Sequence, residues 1–260
     1  MRALAAAIAA FAALVVATAQ AQSPAPSRLD DIVRRGSLRV GLTGDYRPFS
    51  SLDRSTATFT GFDVDMTATL AQAMGVSVTY VPTTWPTMTR DFAAGAFDIA
   101  AGGVSITAER QKTGLFSTPL MHDGKAPIAR CADAGKFGTI ADIDRPGVRV
   151  IVNPGGTNER FARANLGHAA VAVFPDNVTI FDEIAAGRAD VMITDASETR
   201  FQARQHPGVL CAVHPDRPFD TVEKAYWLPR DEALKAVVDQ WLQRLRDSGA
   251  YQRIYQKWFE

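Results

Sequence analysis

Cysteine is almost missing from this chain, with Cys131 and Cys211 the only two among 260 residues. The pair has no close spacing, which argues against the clustered thiolates of structural zinc sites. Histidine is sparse as well. His122, His168, His206 and His214 are scattered and read as surface or loop residues, so no metal site is expected. Neither sign of charge is in excess, 28 basic residues standing against 28 acidic ones. Without a basic stripe there is no footprint for nucleic acid. After the N-terminus no apolar run reaches the length of a membrane span. The glycine patterns of phosphate loops and dinucleotide folds are absent too, which argues against nucleotides. No catalytic triad or organic-cofactor motif occurs, and no cofactor is expected.

What is present begins with an export signal. Met1-Arg2 places one positive charge ahead of an apolar run from Ala3 through Ala17, and Ala19-Gln20-Ala21 supplies a small-x-small cleavage site. The expectation is a signal peptide over residues 1–21, a flexible leader over 22–27, and an exported, periplasmic protein with no membrane contact after cleavage. A mature chain of roughly 240 residues suits one large domain or two small ones. An even pair of cysteines in an oxidising compartment is more often a disulfide than two thiols, so a Cys131–Cys211 bond is expected.

The pattern along the chain is α/β. Leu38, Val40 and Leu42 alternate as a half-buried strand does. Phe62, Met66, Leu70 and Met74 recur every four residues on one helix face, and Gly75 stops that helix. Val76, Val78 and Tyr80 alternate again. The order restarts after Val148, with helices from Asn158 and Thr179 and strands near Val171 to Phe174 and from Asp190. Repeated βα units favour a mostly parallel sheet covered by helices. A short echo supports two such units: Ala93-Ala94-Gly95-Ala96-Phe97-Asp98-Ile99 resembles Ala185-Ala186-Gly187-Arg188-Ala189-Asp190-Val191. Each reads as a helix end, a glycine turn and a buried strand.

Two α/β lobes follow, one from residues 28–129 plus 213–260 and one from 130–212, joined by two hinge crossovers. The apolar face of Leu234, Val237, Val238, Trp241, Leu242 and Leu245, on a helix ended by Gly249, brings the tail back to the first lobe. A Cys131–Cys211 bridge would lie near the hinge and tie its two strands together. Ligands of open α/β sheets bind beyond the carboxyl ends of strands. Gly102 to Ser105 and Ile193 to Ala196 would therefore face one shared cleft.

Asn153-Pro154-Gly155-Gly156-Thr157-Asn158-Glu159 is the most telling stretch. It follows the strand pattern of Val148, Val150 and Val152 and precedes a helix from Glu159 to Leu166. Unpaired amides at a helix start, together with the helix dipole, favour an anion. A carboxylate held by residues such as Asn153, Gly156 and Thr157 is the expected ligand. The plainer reading is a strand–helix connection that needs glycines for its turn.

Gly44-Asp45-Tyr46-Arg47-Pro48-Phe49, Gly61-Phe62-Asp63-Val64-Asp65, Ser105-Ile106-Thr107-Ala108-Glu109-Arg110 and Phe116-Ser117-Thr118-Pro119 resemble the signatures of periplasmic amino-acid-binding proteins. The resemblance covers essentially the whole mature chain. It implies a two-lobed periplasmic-binding-protein-like fold of type II, closing over a small molecule. It also implies that Arg110, helped by Ser105, clamps a ligand carboxylate with two parallel hydrogen bonds. One enzymatic branch is matched more closely. Thr83-Thr84-Trp85-Pro86, Asp123-Gly124-Lys125, Pro175-Asp176-Asn177-Val178-Thr179-Ile180-Phe181, Thr194-Asp195-Ala196-Ser197-Glu198, Lys224-Ala225-Tyr226 and Leu228-Pro229-Arg230-Asp231-Glu232-Ala233 resemble the periplasmic cyclohexadienyl dehydratases. That resemblance implies decarboxylative dehydration of prephenate to phenylpyruvate and of arogenate to phenylalanine. It carries the catalytic acid onto Glu198 and substrate contacts onto Asp45, Trp85, Arg110, Lys125 and Asn153. Ser197 departs from the aliphatic residue expected beside the acid.

The chemistry needs such a set. Hydroxide leaves poorly, so a positioned acid is required, and a cleft carboxyl such as Glu198 can be kept protonated by desolvation. On local sequence alone, a solvated glutamate in the first turn of a helix is the commoner reading. Two substrate carboxylates need two cationic or amide-rich sites, which Arg110 and the Asn153 loop with Lys125 would supply. Trp85 would stack on the ring or serve as a buried structural tryptophan. Asp195 supports a competing reading. An aspartate near this place holds the ligand ammonium in binding proteins of amino-acid importers, so a non-catalytic receptor is the alternative. Asp195 would otherwise cap the turn that follows it. Small molecules are the expected partners, and homo-oligomerisation is left open.

Overall fold

A computed structural model describes residues 27–260. The expected signal peptide, 1–21, and residues 22–26 of the expected leader lie outside the described residues. Ser27, expected as the last residue of a flexible leader, is held in place. Its hydroxyl accepts from the Leu29 N–H (3.1 Å) and donates to Asp231 (2.6 Å), capping the helix Arg28–Arg35.

Two five-stranded sheets form the two lobes. In the first, Ser77–Pro82, Ser37–Leu42, Ile99–Ala100, Trp227–Leu228 and Leu115–Phe116 lie side by side in that order. In the second the order is Ala170–Val173, Arg149–Val152, Val191–Asp195, Lys125–Arg130 and Leu210–Ala212. Both sheets use one plan. The three strands of the βαβαβ run are parallel, and the strand in fourth place is antiparallel to both its neighbours. Each sheet is therefore mostly parallel, with a single reversed strand.

The periodicities behave as expected. Leu38, Val40 and Leu42 are fully buried, and so are Phe62, Met66 and Leu70 on the helix Phe62–Ala73. Gly75 follows at φ 68°, in the left-handed region that glycine enters without penalty. The sequence echo is structural down to its charges. Asp98 and Asp190 each stand just before the third strand of their run. Each accepts the backbone N–H of an arginine on the central strand, Arg39 at 2.8 Å and Arg149 at 2.9 Å. Each also pairs with that arginine's guanidinium, at 2.8 and 2.6 Å.

The crossings differ from expectation. The chain leaves the first lobe through Met121–Asp123 and returns through Val222–Lys224, and these two segments pair as an antiparallel ribbon. Lys125–Arg130 already belongs to the second sheet, so that lobe begins at Lys125 rather than at residue 130. On the return side, Val213 and Phe219 donate backbone N–H groups to Pro127 and Lys125, and Asp220 accepts from the Lys125 N–H. The second lobe thus extends past 212 to residue 220. The reversed strand carries no βα signature, which is why the pattern alone misplaced the boundary.

Cys131 and Cys211 are disulfide-bonded, but away from the hinge. The bond joins the far end of Lys125–Arg130 to the neighbouring strand, about 20 Å of strand from the ribbon. It staples the second lobe and leaves the two crossings free. The tail also runs further than expected. Gly249, at φ 70°, ends the helix Glu232–Asp247 and starts another, Ala250–Phe259, whose Phe259 ring lies 5.2 Å from Phe62 and 5.3 Å from Phe49.

Candidate functional site

Of the expected contacts, Trp85, Ser105, Arg110, Asn153, Gly156, Thr157 and Asp195 line one cavity between the lobes. They come from the ends of strands and the starts of helices, where the open βα plan leaves side chains and amides directed at a common space. The cavity is nearly closed, enclosing about 10 Å³, room for about one water.

Arg110 is placed by a four-residue helix, Ala108–Gln111. The Thr107 hydroxyl caps that helix by accepting the Arg110 N–H at 3.2 Å. The side chain is 5% exposed, donates to the Ser105 carbonyl at 2.9 Å and lies over the Trp227 ring at 5.9 Å. Burial pulls its pKa down to about 10, so it stays charged at neutral pH. Trp85 meets Tyr46 edge-on at 5.5 Å, and its indole N–H donates to Asp45 at 3.1 Å. Asp45 therefore sits behind the wall as the anchor of the tryptophan, with its carboxyl pKa raised by burial.

The glycine loop meets the Trp85 segment across the cleft. A Cβ on Gly155 would stand 2.7 Å from the Pro86 Cα, and φ there is +74°. Two independent reasons thus require glycine. The Gly155 N–H donates to the Glu159 carboxylate at 2.7 Å, so one of the loop amides expected to hold an anion is satisfied within the loop. Gly156 and Thr157 remain on the cavity wall.

Asp195 is the charge centre. It occupies the N-cap position of the helix Ala196–Gln205, yet its side chain makes no capping bond, contrary to the local reading. Asp123 from the ribbon takes that part, accepting the Ser197 N–H at 3.2 Å and the Ser197 hydroxyl. The unexpected serine beside Glu198 thereby ties the helix start to the hinge. Asp195 itself accepts from Lys125 (2.7 Å), from Lys224 and from the Tyr46 hydroxyl. Burial would raise its pKa, but the two lysines outweigh burial and hold it well below the carboxylate range. Lys125, also buried, reaches Thr157 (2.9 Å) and the Asn158 side-chain carbonyl. Burial lowers its pKa and the Asp195 carboxylate opposes that shift.

Glu198 is fully buried, which overturns the solvated reading, and it stands behind the cavity wall rather than on it. Its surroundings set the hydrogen bonds it makes. An ammonium has no acceptor, so the Asn158 carbonyl must face Lys125 and the Asn158 NH₂ must face Thr194, at 2.9 Å. The Thr194 oxygen accepts there, and its own hydrogen goes to Glu198 Oε2. Glu198 Oε1 has no partner among the described residues. Burial pushes the Glu198 pKa well up, with Asp195 and Asp45 adding to it. Burial thus favours the protonated form of this carboxyl.

Tyr46, Asn158, Thr194 and Lys224 had no assigned role in the sequence. All four lie inside quoted motifs, but only their burial and their contacts with Asp195, Lys125 or Glu198 distinguish them from surface residues. The cavity wall carries two cations, Arg110 and Lys224, against one carboxylate, Asp195, while Lys125, expected as a substrate contact, stands behind that wall and pairs with Asp195. That excess of positive charge suits a ligand carrying two negative charges.

Residues 38–260 match the bacterial extracellular solute-binding proteins, family 3. The chain is 53% identical over 254 residues to the cyclohexadienyl dehydratase of Pseudomonas aeruginosa, covering 98% of this chain and 93% of that protein. Among solved structures, an ancestral amino acid-binding protein described as a precursor of cyclohexadienyl dehydratase superimposes with a TM-score of 0.83 at 36% identity, covering 90% of this chain and 100% of that one. An ancestral cyclohexadienyl dehydratase is 52% identical, with a TM-score of 0.56, over 90% of this chain and 97% of that one.

Proposed function

Because the chain belongs to the bacterial extracellular solute-binding proteins of family 3, we propose that it uses their two-lobed cleft as a cyclohexadienyl dehydratase with Glu198 as the acid. The observation that carries this reading is a fully buried carboxyl, its pKa pushed well up by burial and its Oε1 without a partner among the described residues, set just behind a cavity lined by Arg110 and Lys224. A transport receptor has no use for a protonated carboxyl there. Decarboxylative dehydration needs one.

In the proposed reaction, the prephenate dianion is held by Arg110 and by the Lys125 side of the cleft. Glu198 gives its proton to the ring hydroxyl, which leaves as water. The ring carboxylate departs as carbon dioxide, and its bonding pair enters the ring to complete the aromatic system. Phenylpyruvate remains, and Glu198, now an anion, recovers a proton from solvent when the lobes part. Arogenate would follow the same course to phenylalanine. The aromatic product supplies the driving force, and the acid is worth about 10²–10⁴-fold in rate.

A cavity of about 10 Å³ is too small for either substrate, so binding requires the lobes to open. The Tyr46–Asp195 bond and the Asn177–Asp45 bond (3.0 Å) run from lobe to lobe and would part in that motion. The low superposition with a relative at 52% identity fits two lobes of one fold set at another angle. The expected export signal supports a periplasmic location.

The amino-acid receptor remains the second reading, favoured by the likeness to an amino acid-binding ancestor. Incubating the purified protein with prephenate, without added cofactor, and following phenylpyruvate absorbance separates the two. Absence of turnover together with tight binding of a proteinogenic amino acid would overturn the dehydratase reading.

A further inference from the structure

We propose that Asp63 is a positioning residue for ligand binding: it sets the Gly102–Ser105 wall of the cleft by holding the two successive glycine amides at its start. The proposal rests on the dehydratase reading for the identity of the ligand, though not for the wall itself. Asp63 stands in the first turn of the helix Phe62–Ala73, is 1% exposed, and takes no part in the proposed reaction. Its Oδ2 accepts the N–H of Gly102 at 2.8 Å and that of Gly103 at 2.7 Å, and its Oδ1 accepts the Tyr226 hydroxyl at 3.1 Å.

Both glycines have left-handed φ, 92° and 73°, which turns their successive N–H groups toward one point. A Cβ on Gly103 would stand 2.6 Å from the Tyr46 ring, so the turn lies flat against that ring. Past the turn, Ser105 pairs with Lys224, and its carbonyl accepts from Arg110 at 2.9 Å. Gly103, Ser105 and Arg110 all line the cavity. Displacing the glycine turn therefore moves the residues set to hold a ligand carboxylate.

Burial lifts the Asp63 pKa to about 6, against the two amides, Tyr226 and Lys224, which lower it. Ionised Asp63 holds the amides by charge-assisted bonds, whereas the protonated acid offers them a weaker, neutral acceptor. The ionisable groups packed around it are Tyr226, the Lys224 ammonium at the end of the ribbon, and Tyr251 on the helix Ala250–Phe259. Burial holds both tyrosines above their ordinary range, Tyr251 at about 12. Asp65, on the same helix as Asp63, faces Lys257 at 2.7 Å instead.

Calorimetric titration with phenylpyruvate tests the proposal. The wild type should bind about five- to tenfold more weakly at pH 5 than at pH 7.5, the difference between charged and neutral acceptors. Asp63→Asn keeps the shape and removes the charge. At pH 7.5 it should bind about as weakly as the acidified wild type, without the same pH dependence, and its KM for prephenate should rise to match while kcat stays within a few-fold. A charge acting at a distance predicts the opposite sign, because losing an anion behind the wall would tighten binding of an anionic ligand. Tighter or unchanged binding by a folded Asp63→Asn would overturn the proposal. If that variant fails to fold, a wild-type affinity that stays level or rises from pH 7.5 to pH 5 would overturn it alone. Failure of the dehydratase reading would appear separately, as absent prephenate turnover in the wild type, and the same titration would then use the proteinogenic amino acid that binds.

Discussion

Replacing Glu198 by Gln tests the proposed chemistry most directly, because the structure separates its effect on rate from its effect on stability. Glu198 is fully buried and burial favours its uncharged form, so at low pH a glutamine of nearly the same shape replaces one neutral group by another. The Thr194 hydroxyl keeps an acceptor, and no charge is stranded. Stability at pH 5 should therefore change by no more than about 1 kcal/mol. Turnover of prephenate should fall by about 10²–10⁴-fold, or about 3–5 kcal/mol of barrier, because an amide cannot deliver the proton. The pH dependence adds a sign. Burial raises the Glu198 pKa above its ordinary value of 4.5, so the folded state favours the protonated form. Its contribution to stability is fully present below the ordinary pKa and is lost as pH rises through the raised one. Activity should fall over the same upper limb. The glutamine variant should lack both dependences and gain stability relative to wild type as pH increases. Stopped assays of phenylpyruvate and denaturant melts across pH would measure all of this. Turnover within a few-fold of wild type would remove Glu198 from the acid's role, whatever the melts show.

Thr194→Val deletes the hydroxyl that donates to Glu198, leaving Oε2 unpaired and Asn158 with one partner fewer. kcat should drop by about ten- to a hundredfold with a shifted upper pH limb, and Thr194→Ser should restore both; an unshifted profile would mean that Thr194 does not orient the acid. Gly155→Ala puts a Cβ 2.7 Å from Pro86 in the other lobe and strains a residue at φ +74° by about 1–2 kcal/mol. Small-angle scattering should show a chain that no longer compacts with a bound dicarboxylate, with activity down at least about tenfold; normal compaction would refute a close approach of the loop to Pro86. Cys131→Ser with Cys211→Ser opens a loop of 80 residues and should cost about 4–5 kcal/mol by the chain-entropy estimate. Activity at 25 °C should survive, since the bond lies away from the hinge ribbon, and a lost activity without lost stability would contradict that placement.

The fold was legible because it rests on local periodicity. Alternation at Leu38, Val40 and Leu42, four-residue spacing at Phe62, Met66 and Leu70, and the echo ending in Asp98 and Asp190 are short-range patterns, and burial of one face is their direct cause. The disulfide followed from cysteine count and compartment. Its position, and that of the hinge, did not, because Lys125–Arg130 joins its sheet as a reversed strand through pairings with residues 62–84 positions away. The site divides in the same way. Motif resemblance pointed to Arg110, Asn153, Asp195 and Glu198, and the structure brings the first three to one cavity with Glu198 behind its wall. What each group can do was decided only by tertiary structure. Lys224 meets Asp195 across 29 residues and Tyr46 meets it across 149, so no local window shows that the carboxylate is already saturated. Nor does any window show that Glu198 lies out of reach of water. Charge state depends on burial and on neighbours brought from distant parts of the chain, and those exist only once both lobes have folded and closed.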